Sequence, residues 1–414
     1  MTPPKRKSPD AIATKIVQKL FDAGFIAYFA GGWVRDHLRN EPTDEIDIAT
    51  SASPEQIIEL FPKTIPVGIA FGVIIVVEEG INFEISTFRK DHPYIDGRHP
   101  EGVDFSTPEK DAMRRDFTIN GMFYDPLTQI LYDYVDGQTD LKKKLLRAIG
   151  NPHHRFTEDR LRMIRAVRFS ARFGFTLDPD TEDAIYENAS TLFPSVSIER
   201  VWQELVKMST FPHFDKALLT LHQLQLLQTI FPTLKSLSSD ELQKRVAPFP
   251  YFPLNCPTIL YLLELFPEAN LGERLSLCQY LKTKITDAKL AEFFYTSSQL
   301  LEQKTPKPVD WAHFYAHPHT PLFLEVQKAK LLPPKRQPFH QEHQQREQKL
   351  AAHIKRIQEH RPLVTATLLQ SEGIKPGKIM GKLLREAERI TINEDLSSAS
   401  EVLERLKTTS LWPK

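Results

Sequence analysis

GGWVRDHLRNEPTDEIDIAT, residues 31–50, follows directly on the apolar run IAYFA at 26–30. That run reads as a buried strand delivered into a glycine turn. The turn then opens a short helix over VRDHLRN. Two glycines at the start of a helix let backbone N–H groups approach an anion closely, and Arg35 can add charge-assisted hydrogen bonds. EIDIAT alternates apolar and polar residues, which predicts a second strand. Two residues apart on a strand, Glu45 and Asp47 share a face. Paired carboxylates on one face suit a divalent cation such as magnesium held against phosphates. Taken alone, the same residues also describe an ordinary turn and an edge strand with solvated acids.

Working outward, residues 10–23 place Ile12, Ile16, Val17, Leu20 and Phe21 at helical spacing, stopped by Gly24. Ser53 and Pro54 open a helix over 54–61. FGVIIVVEEG and INFEISTF predict a hairpin around Glu79-Gly80. Within its second strand Glu84 and Ser86 share one face and Phe83 and Ile85 the other. Residues 87–115 are polar without a clear period and read as a long functional loop. Twelve of the 16 glycines lie at or before Gly174, and none falls between 175 and 271. Strands and turns therefore belong to the first part of the chain and packed helices to the rest, from about residue 155 onward. Further helices are expected at 179–191 and 197–209, short proline-broken ones over 210–320, a linker or helix start at 333–345, and a helical end interrupted by Gly373, Pro376 and Gly377.

The chain has 414 residues, 41% hydrophobic and 26% charged. This is ordinary globular composition spread over two to three domains. It excludes a mostly disordered or collagen-like chain. No run is long and apolar enough for a membrane-spanning helix, and MTPPKRKSPD lacks the apolar stretch of a secretory leader. Cys256 and Cys278 cannot build a disulfide framework or a closed zinc site. A cytoplasmic location follows as the default. Lys+Arg and Asp+Glu both number 53, so any basic surface must arise from local segregation.

Three further groups carry candidate chemistry. Glu84 supplies a third carboxylate that can support a metal or act as a base. The stretch from Arg89 to Asn120 holds Asp91, Tyr94, Asp96 and Arg98, then Arg114-Arg115-Asp116-Phe117-Thr118-Ile119-Asn120, with adjacent arginines suited to clamping phosphates. Finally, Glu158-Asp159-Arg160-Leu161-Arg162 continues into Arg165 and Arg168. On a helix Asp159 and Arg162 would be neighbours, and an acceptor beside a forked donor matches the edge of a nucleobase. By themselves these three read as a strand acid, a charged loop and a salt-bridge ladder.

The pieces occur in one order across residues 30–170, and together they resemble the class II tRNA nucleotidyltransferase and bacterial poly(A) polymerase family of the DNA polymerase beta superfamily. GGWVRD with DEIDIAT resembles its metal-binding motif, RRDFTIN its second motif, EDRLR its nucleotide-selecting helix, and SIERVWQEL the motif that closes its neck. The resemblance implies an α+β fold: a head with a small mixed sheet and flanking helices, then an all-α neck, body and tail. The expected divisions are 1–150 (head), 151–210 (neck), 211–330 (body) and 331–414 (tail). It implies that Gly32 and Arg35 contact the triphosphate and that Glu45 and Asp47 ligate magnesium (Mg2+). Glu84 is then the third catalytic carboxylate and Arg115 binds nucleotide. Asp159 and Arg162 form a protein template for CTP and ATP, with Arg165 and Arg168 supporting it or touching phosphate. The family usually shows Asp-x-Asp where this chain reads Glu45-Ile46-Asp47. Either Glu45, longer by one methylene, ligates the metal, or Asp44 does so through a bulge.

The implied reaction is attack of an RNA 3′-hydroxyl on the alpha phosphate of CTP or ATP, with two magnesium ions. Asp91, Tyr94, Asp96, Arg98 and Pro100 match the loop that CC-adding members lack. TIPVGIAFGVIIVV stands where poly(A) polymerases of the family carry a basic strand. Both points favour addition of C, C and A to tRNA. Poly(A) or A-only addition is the alternative, and a decayed RNA-binding protein is the alternative of another class. GIKPGKIMGKLLREAE resembles the family's tail, which makes Lys375, Lys378 and Lys382 candidate RNA contacts. The expected partners are tRNA, CTP and ATP, with no membrane, in a monomer or dimer.

Overall fold

Phe29, Ile48, Ile74, Val76, Phe83 and Ile85 are all buried on one face of a seven-stranded sheet. The computed structural model describes residues 8–43, 45–92 and 101–413. It divides into two compact units, Met1–Lys244 and Arg245–Lys414.

In the first unit the sheet strands are β1 (Ala27–Ala30), β2 (Asp47–Thr50), β3 (Thr64–Gly68), β4 (Val73–Glu78) and β5 (Ile81–Thr87). After the small hairpin β6 (Arg89–Asp91) and β7 (Val103–Phe105) come β8 (Met122–Asp125) and β9 (Ile130–Asp133). Their order in the sheet is β3-β4-β5-β2-β1-β8-β9. Only β2 and β5 run parallel; the other neighbours are antiparallel. The β4–β5 turn falls at Glu79 and Gly80, both at positive φ (48° and 81°) as a tight two-residue hairpin requires.

Helices α1 (Pro9–Asp22), α2 (Gly32–Leu38) and α3 (Pro54–Leu60) cover the apolar face through Ile12, Ile16, Leu20, Val34 and Ile57. The capping box at Ser53 and Gln56 fixes the start of α3. The opposite face is lined by Ala30, Ala49, Phe88 and Phe123, against Ala112 of α4 (Pro108–Met113). α5 (Gly137–Lys143) and α6 (Pro152–Glu158) lead into α7 (Leu161–Phe173), which ends at Gly174 in a left-handed cap. α8 (Pro179–Asn188), α9 (Ile198–Ser209), α10 (Phe214–Gln223) and α11 (Leu226–Ile230) follow, and α12 (Ser239–Val246) holds the boundary.

The second unit is helical: α13 (Thr258–Leu263), α14 (Leu271–Tyr280), α15 (Ile285–Glu302), α16 (Pro308–Ala316), α17 (Thr320–Lys330), α18 (Pro333–Gln358), α19 (Ala366–Ser371), α20 (Lys378–Asn393) and α21 (Ala399–Lys407). Among the described residues no helix is long and apolar enough to cross a membrane.

The helix start read at 333–345 is present: the stretch is the first half of the 26-residue α18, with Pro333 and Pro334 in its first turn, where their missing N–H groups cost nothing, and Pro338 inside the helix. Two expectations are corrected. Residues 87–115 are not one loop, since β6, β7 and α4 lie within them. The strand read over EIDIAT begins only at Asp47, so Glu45 lies ahead of it and its placement does not follow from strand alternation. Asp44, Tyr94, Asp96, Arg98 and Pro100 lie outside the described residues.

Candidate active site

β1 ends at Ala30 and the chain turns at Gly31, whose φ of 64° and ψ of −121° only glycine tolerates. A Cβ there would stand 3.2 Å from Arg115 Nη1 and 3.9 Å from Asp47 Oδ2. The glycine turn therefore faces the first carboxylate of β2 and an arginine from the loop after α4. The parallel register sets Asp47 directly beside Glu84 of β5, one strand spacing of about 4.8 Å away. Burial first, then the charges of Glu84 and Glu45, push the Asp47 carboxyl up to about 6, while Arg115 pulls it back. A carboxyl held so high by its neighbours is a site that a bound cation would relieve. Among the described residues no group of three or more His, Cys, Asp or Glu is close enough to hold a metal by itself. The donors present fit an ion such as magnesium, which takes one or two carboxylates and completes its shell with substrate phosphates and water.

A cleft of about 690 Å3 joins this corner to α7 and α9. Its walls include Gly31, Gly32, Arg35, Glu45, Asp47 and Arg115, and equally Asp159, Arg162, Arg165 and Arg168. Gly32, Arg35, Glu45, Asp47, Arg115, Asp159, Arg162, Arg165 and Arg168 thus line one cavity, and Glu84 is the β5 neighbour of Asp47.

Most of the arginines are held by acids. Arg35 makes two 2.8 Å hydrogen bonds to Asp36 and one of 2.7 Å to Asn120 Oδ1, with its guanidinium 4.5 Å from the Phe173 ring centroid. Arg115 donates to Asp111 Oδ2 from Nε (3.2 Å) and Nη2 (3.0 Å). Asp111 is fully buried and also accepts from Arg114 and from the Arg89 amide. Burial would raise its carboxyl, but Arg115 and Arg114 outweigh that and hold it below the usual range. Arg165 closes on Asp116 at 2.5 Å and Arg168 on Glu204 at 2.6 Å. Against its burial, Arg165 and the Asn120 amide hold the Asp116 carboxyl down at about 2.

The expected Asp159–Arg162 helical pair is not formed. Asp159 is the extended residue between α6 and α7, with φ −143° and ψ 104°. One of its oxygens caps α7 by accepting from the Leu161 amide (3.0 Å), and the other accepts from Arg200 Nη2 of α9 (3.0 Å). Arg162 donates to Glu158 (2.6 Å), to the Arg155 carbonyl (3.0 Å) and to the Arg114 carbonyl (3.2 Å). A short-chain acid competes for the free amides of a helix start, so Asp159 leaves the helix, and Glu158 rather than Asp159 takes Arg162 at i,i+4. Both side chains still reach the cleft.

Asn120, the last residue of RRDFTIN, holds Arg35, whereas Asp111 and Arg200 are site residues that the sequence reading does not name, although Arg200 lies in SIERVWQEL. Arg200 and Glu204, one turn apart on α9, meet Asp159 and Arg168. The available signal is their i,i+4 spacing, with Glu204 falling among the buried Val201, Leu205 and Met208 of α9. Arg172, Lys207, Thr210 and Phe211 complete the far wall. In the second unit Lys375, Lys378 and Lys382 are exposed around the start of α20.

Carboxylates on adjacent strands, a glycine turn and an arginine-lined cleft define a nucleotidyltransferase. The Poly A polymerase head domain family matches residues 27–147, and the family described as the probable RNA and SrmB-binding site of polymerase A matches 174–237. A CCA-adding enzyme of Ligilactobacillus salivarius is 31% identical over 398 residues, 94% of either chain. That of Lactobacillus johnsonii is 46% identical over 206 residues, so the match spans about half of that relative's length (51%). The crystal structure of the Bacillus stearothermophilus CCA-adding enzyme in complex with CTP superposes with a TM-score of 0.74 at 29% identity, covering 97% of this chain and 98% of that one. A Thermotoga maritima CCA-adding enzyme complexed with tRNA, at 20% identity and TM-score 0.67, shares the fold. The chain belongs to the CCA-adding enzyme family.

Proposed function

We propose that this chain adds C, C and A to the 3′ end of tRNA from CTP and ATP, with no nucleic-acid template. The observation that carries the reading is that one cleft holds both halves of such a reaction. Its carboxylate corner is Asp47 with Glu45, and its base-reading corner is Asp159 with Arg162. The L. salivarius relative and the CTP complex of the B. stearothermophilus enzyme support it.

In this reading Gly31 and Gly32 let the triphosphate approach the backbone, and Arg35 and Arg115 neutralise it. Glu45 and Asp47 hold magnesium, and Glu84 supports them. When bound there, a pair of magnesium ions supplies the charge that activates the RNA 3′-hydroxyl and stabilises departing pyrophosphate. The chain's own contribution is positioning and fixed charge. Asp159 and Arg162 present an acceptor and a donor to the base. A carboxylate has about four acceptor sites and a guanidinium five donors, so the Leu161 and Arg200 contacts of Asp159, and the contacts of Arg162 to Glu158 and the Arg155 and Arg114 carbonyls, leave capacity for a nucleotide. Arg165 and Arg168, clamped by Asp116 and Glu204, keep that wall in place. The division into head (1–150), neck (151–210), body (211–330) and tail (331–414) belongs to the same reading, with Lys375, Lys378 and Lys382 as phosphate contacts of the tail.

The test is a tRNA transcript ending before CCA, incubated with magnesium and CTP, ATP or both. Two added nucleotides with CTP alone and three with both are expected. A long ladder with ATP alone would establish poly(A) addition instead, and no product would leave an RNA-binding role.

A further inference from the structure

The second unit carries a groove of about 810 Å3 between the end of α15, the loop after it, the start of α16 and the middle of α18. Its floor is Trp311, only 8% exposed. The Arg346 guanidinium lies 4.1 Å from the centroid of that ring. Arg346 is held between that ring and the carboxylate of Glu342, 2.5 Å from its Nη2. Its plane is therefore a prepared surface rather than a mobile side chain, and its side chain is 27% exposed. Phe339 stands beside it in the wall. Lys304 and Lys349, both exposed, flank the groove on the α15 and α18 sides. Neither has a carboxylate partner among the described residues. The lining thus holds three cations (Lys304, Arg346 and Lys349) against one carboxylate, Glu342, already spent on Arg346.

A fixed guanidinium plane on an aromatic base is a stacking partner for a nucleobase. Unpaired ammonium groups to either side fit the phosphates before and after that base. A neutral apolar ligand would use the ring but leave the two lysines without purpose. We infer that this groove holds an unstacked nucleotide of the RNA substrate, with its base on Arg346 over Trp311 and its flanking phosphates on Lys304 and Lys349.

The inference rests on tRNA being the substrate, and the experiment separates the two. tRNA binding by filter retention and nucleotide incorporation are measured side by side for the full chain and for Lys304→Ala/Lys349→Ala and Arg346→Lys. For the double variant the dissociation constant and KM for tRNA are expected to rise about tenfold. The slope of log K against log salt should become shallower by about 1.5, as loss of two phosphate contacts requires. kcat and the KM for CTP should stay unchanged. Arg346→Lys keeps the charge and loses the plane, so it should weaken tRNA binding about fivefold or more without changing the salt slope. All three positions being partly or fully exposed, unchanged melting temperatures are expected. Wild-type incorporation with unaltered tRNA affinity and salt slope in the double variant would overturn the groove assignment and leave the functional reading intact. Absence of tRNA binding by the wild-type chain would overturn both.

Discussion

At the scale of single residues the site is defined by charge held at a cost. Asp47 has burial, Glu84 and Glu45 against its ionised form, with only Arg115 in its favour. Asp47→Asn should therefore melt at a higher temperature than wild type in metal-free buffer while incorporating nucleotide at least about a thousandfold more slowly. Magnesium should raise the melting temperature of wild type and not of the variant. An active variant, or an equal magnesium shift in both, would remove Asp47 from the metal site. Asp116 presents the opposite case. Its carboxyl sits at about 2 in the folded chain against about 4 unfolded, so it stabilises the fold above pH 4 and loses that contribution as pH falls toward 2. The stake is about 2 kcal/mol. Asp116→Asn should be less stable than wild type at pH 7, with the difference shrinking by pH 2–3, in urea denaturation at both pH values.

Elements set the directions of these side chains. The glycine turn between β1 and α2 holds a φ of 64° at Gly31, where an added Cβ would stand 3.2 Å from Arg115 Nη1. Gly31→Ala would add about 1–3 kcal/mol of backbone strain and push Arg115 from its place beside Asp47. The KM for CTP and ATP should rise about tenfold or more, readable by steady-state kinetics with a magnesium-saturated enzyme. α9 acts on the other wall, where Arg200 reaches from it to Asp159 across the α6–α7 break. Arg200→Ala frees one Asp159 oxygen and its orientation together. The expected result is loss of discrimination among CTP, ATP, UTP and GTP in misincorporation assays, with the Asp47 corner and its magnesium response preserved.

On the scale of the whole molecule the chain divides into two compact units. A hydrophobic cluster within the second includes Leu369, Leu383, Val402 and Leu406, all fully buried. Leu383→Ala should cost about 2–5 kcal/mol there. It should lower the melting of Arg245–Lys414, followed by hydrogen exchange, while leaving CTP affinity in Met1–Lys244 unchanged. Equal loss of protection in both units would show that they unfold as one.

The local order of the chain was legible because the forces involved are local. Glycine turns, Ser53 with Pro54, the Glu79-Gly80 hairpin and the strand alternation around Glu84 depend on neighbours within a few residues. The motifs from Gly31 to Arg168 could be recognised for the same reason. Pairings over long separations came from the three-dimensional packing instead. Asp47 meets Glu84 through a parallel register, and Asp116 meets Arg165 from 49 residues away. The Asp159–Arg162 pair failed because periodicity cannot foresee a break in a helix. Asp159 caps α7 and turns to Arg200, 41 residues away, since an extended acid satisfies two donors there that an in-helix acid would leave open. The residue types were written in the sequence, but which oppositely charged partner each would find depended on how α7 packs against α9 and on the cleft both share with Asp47.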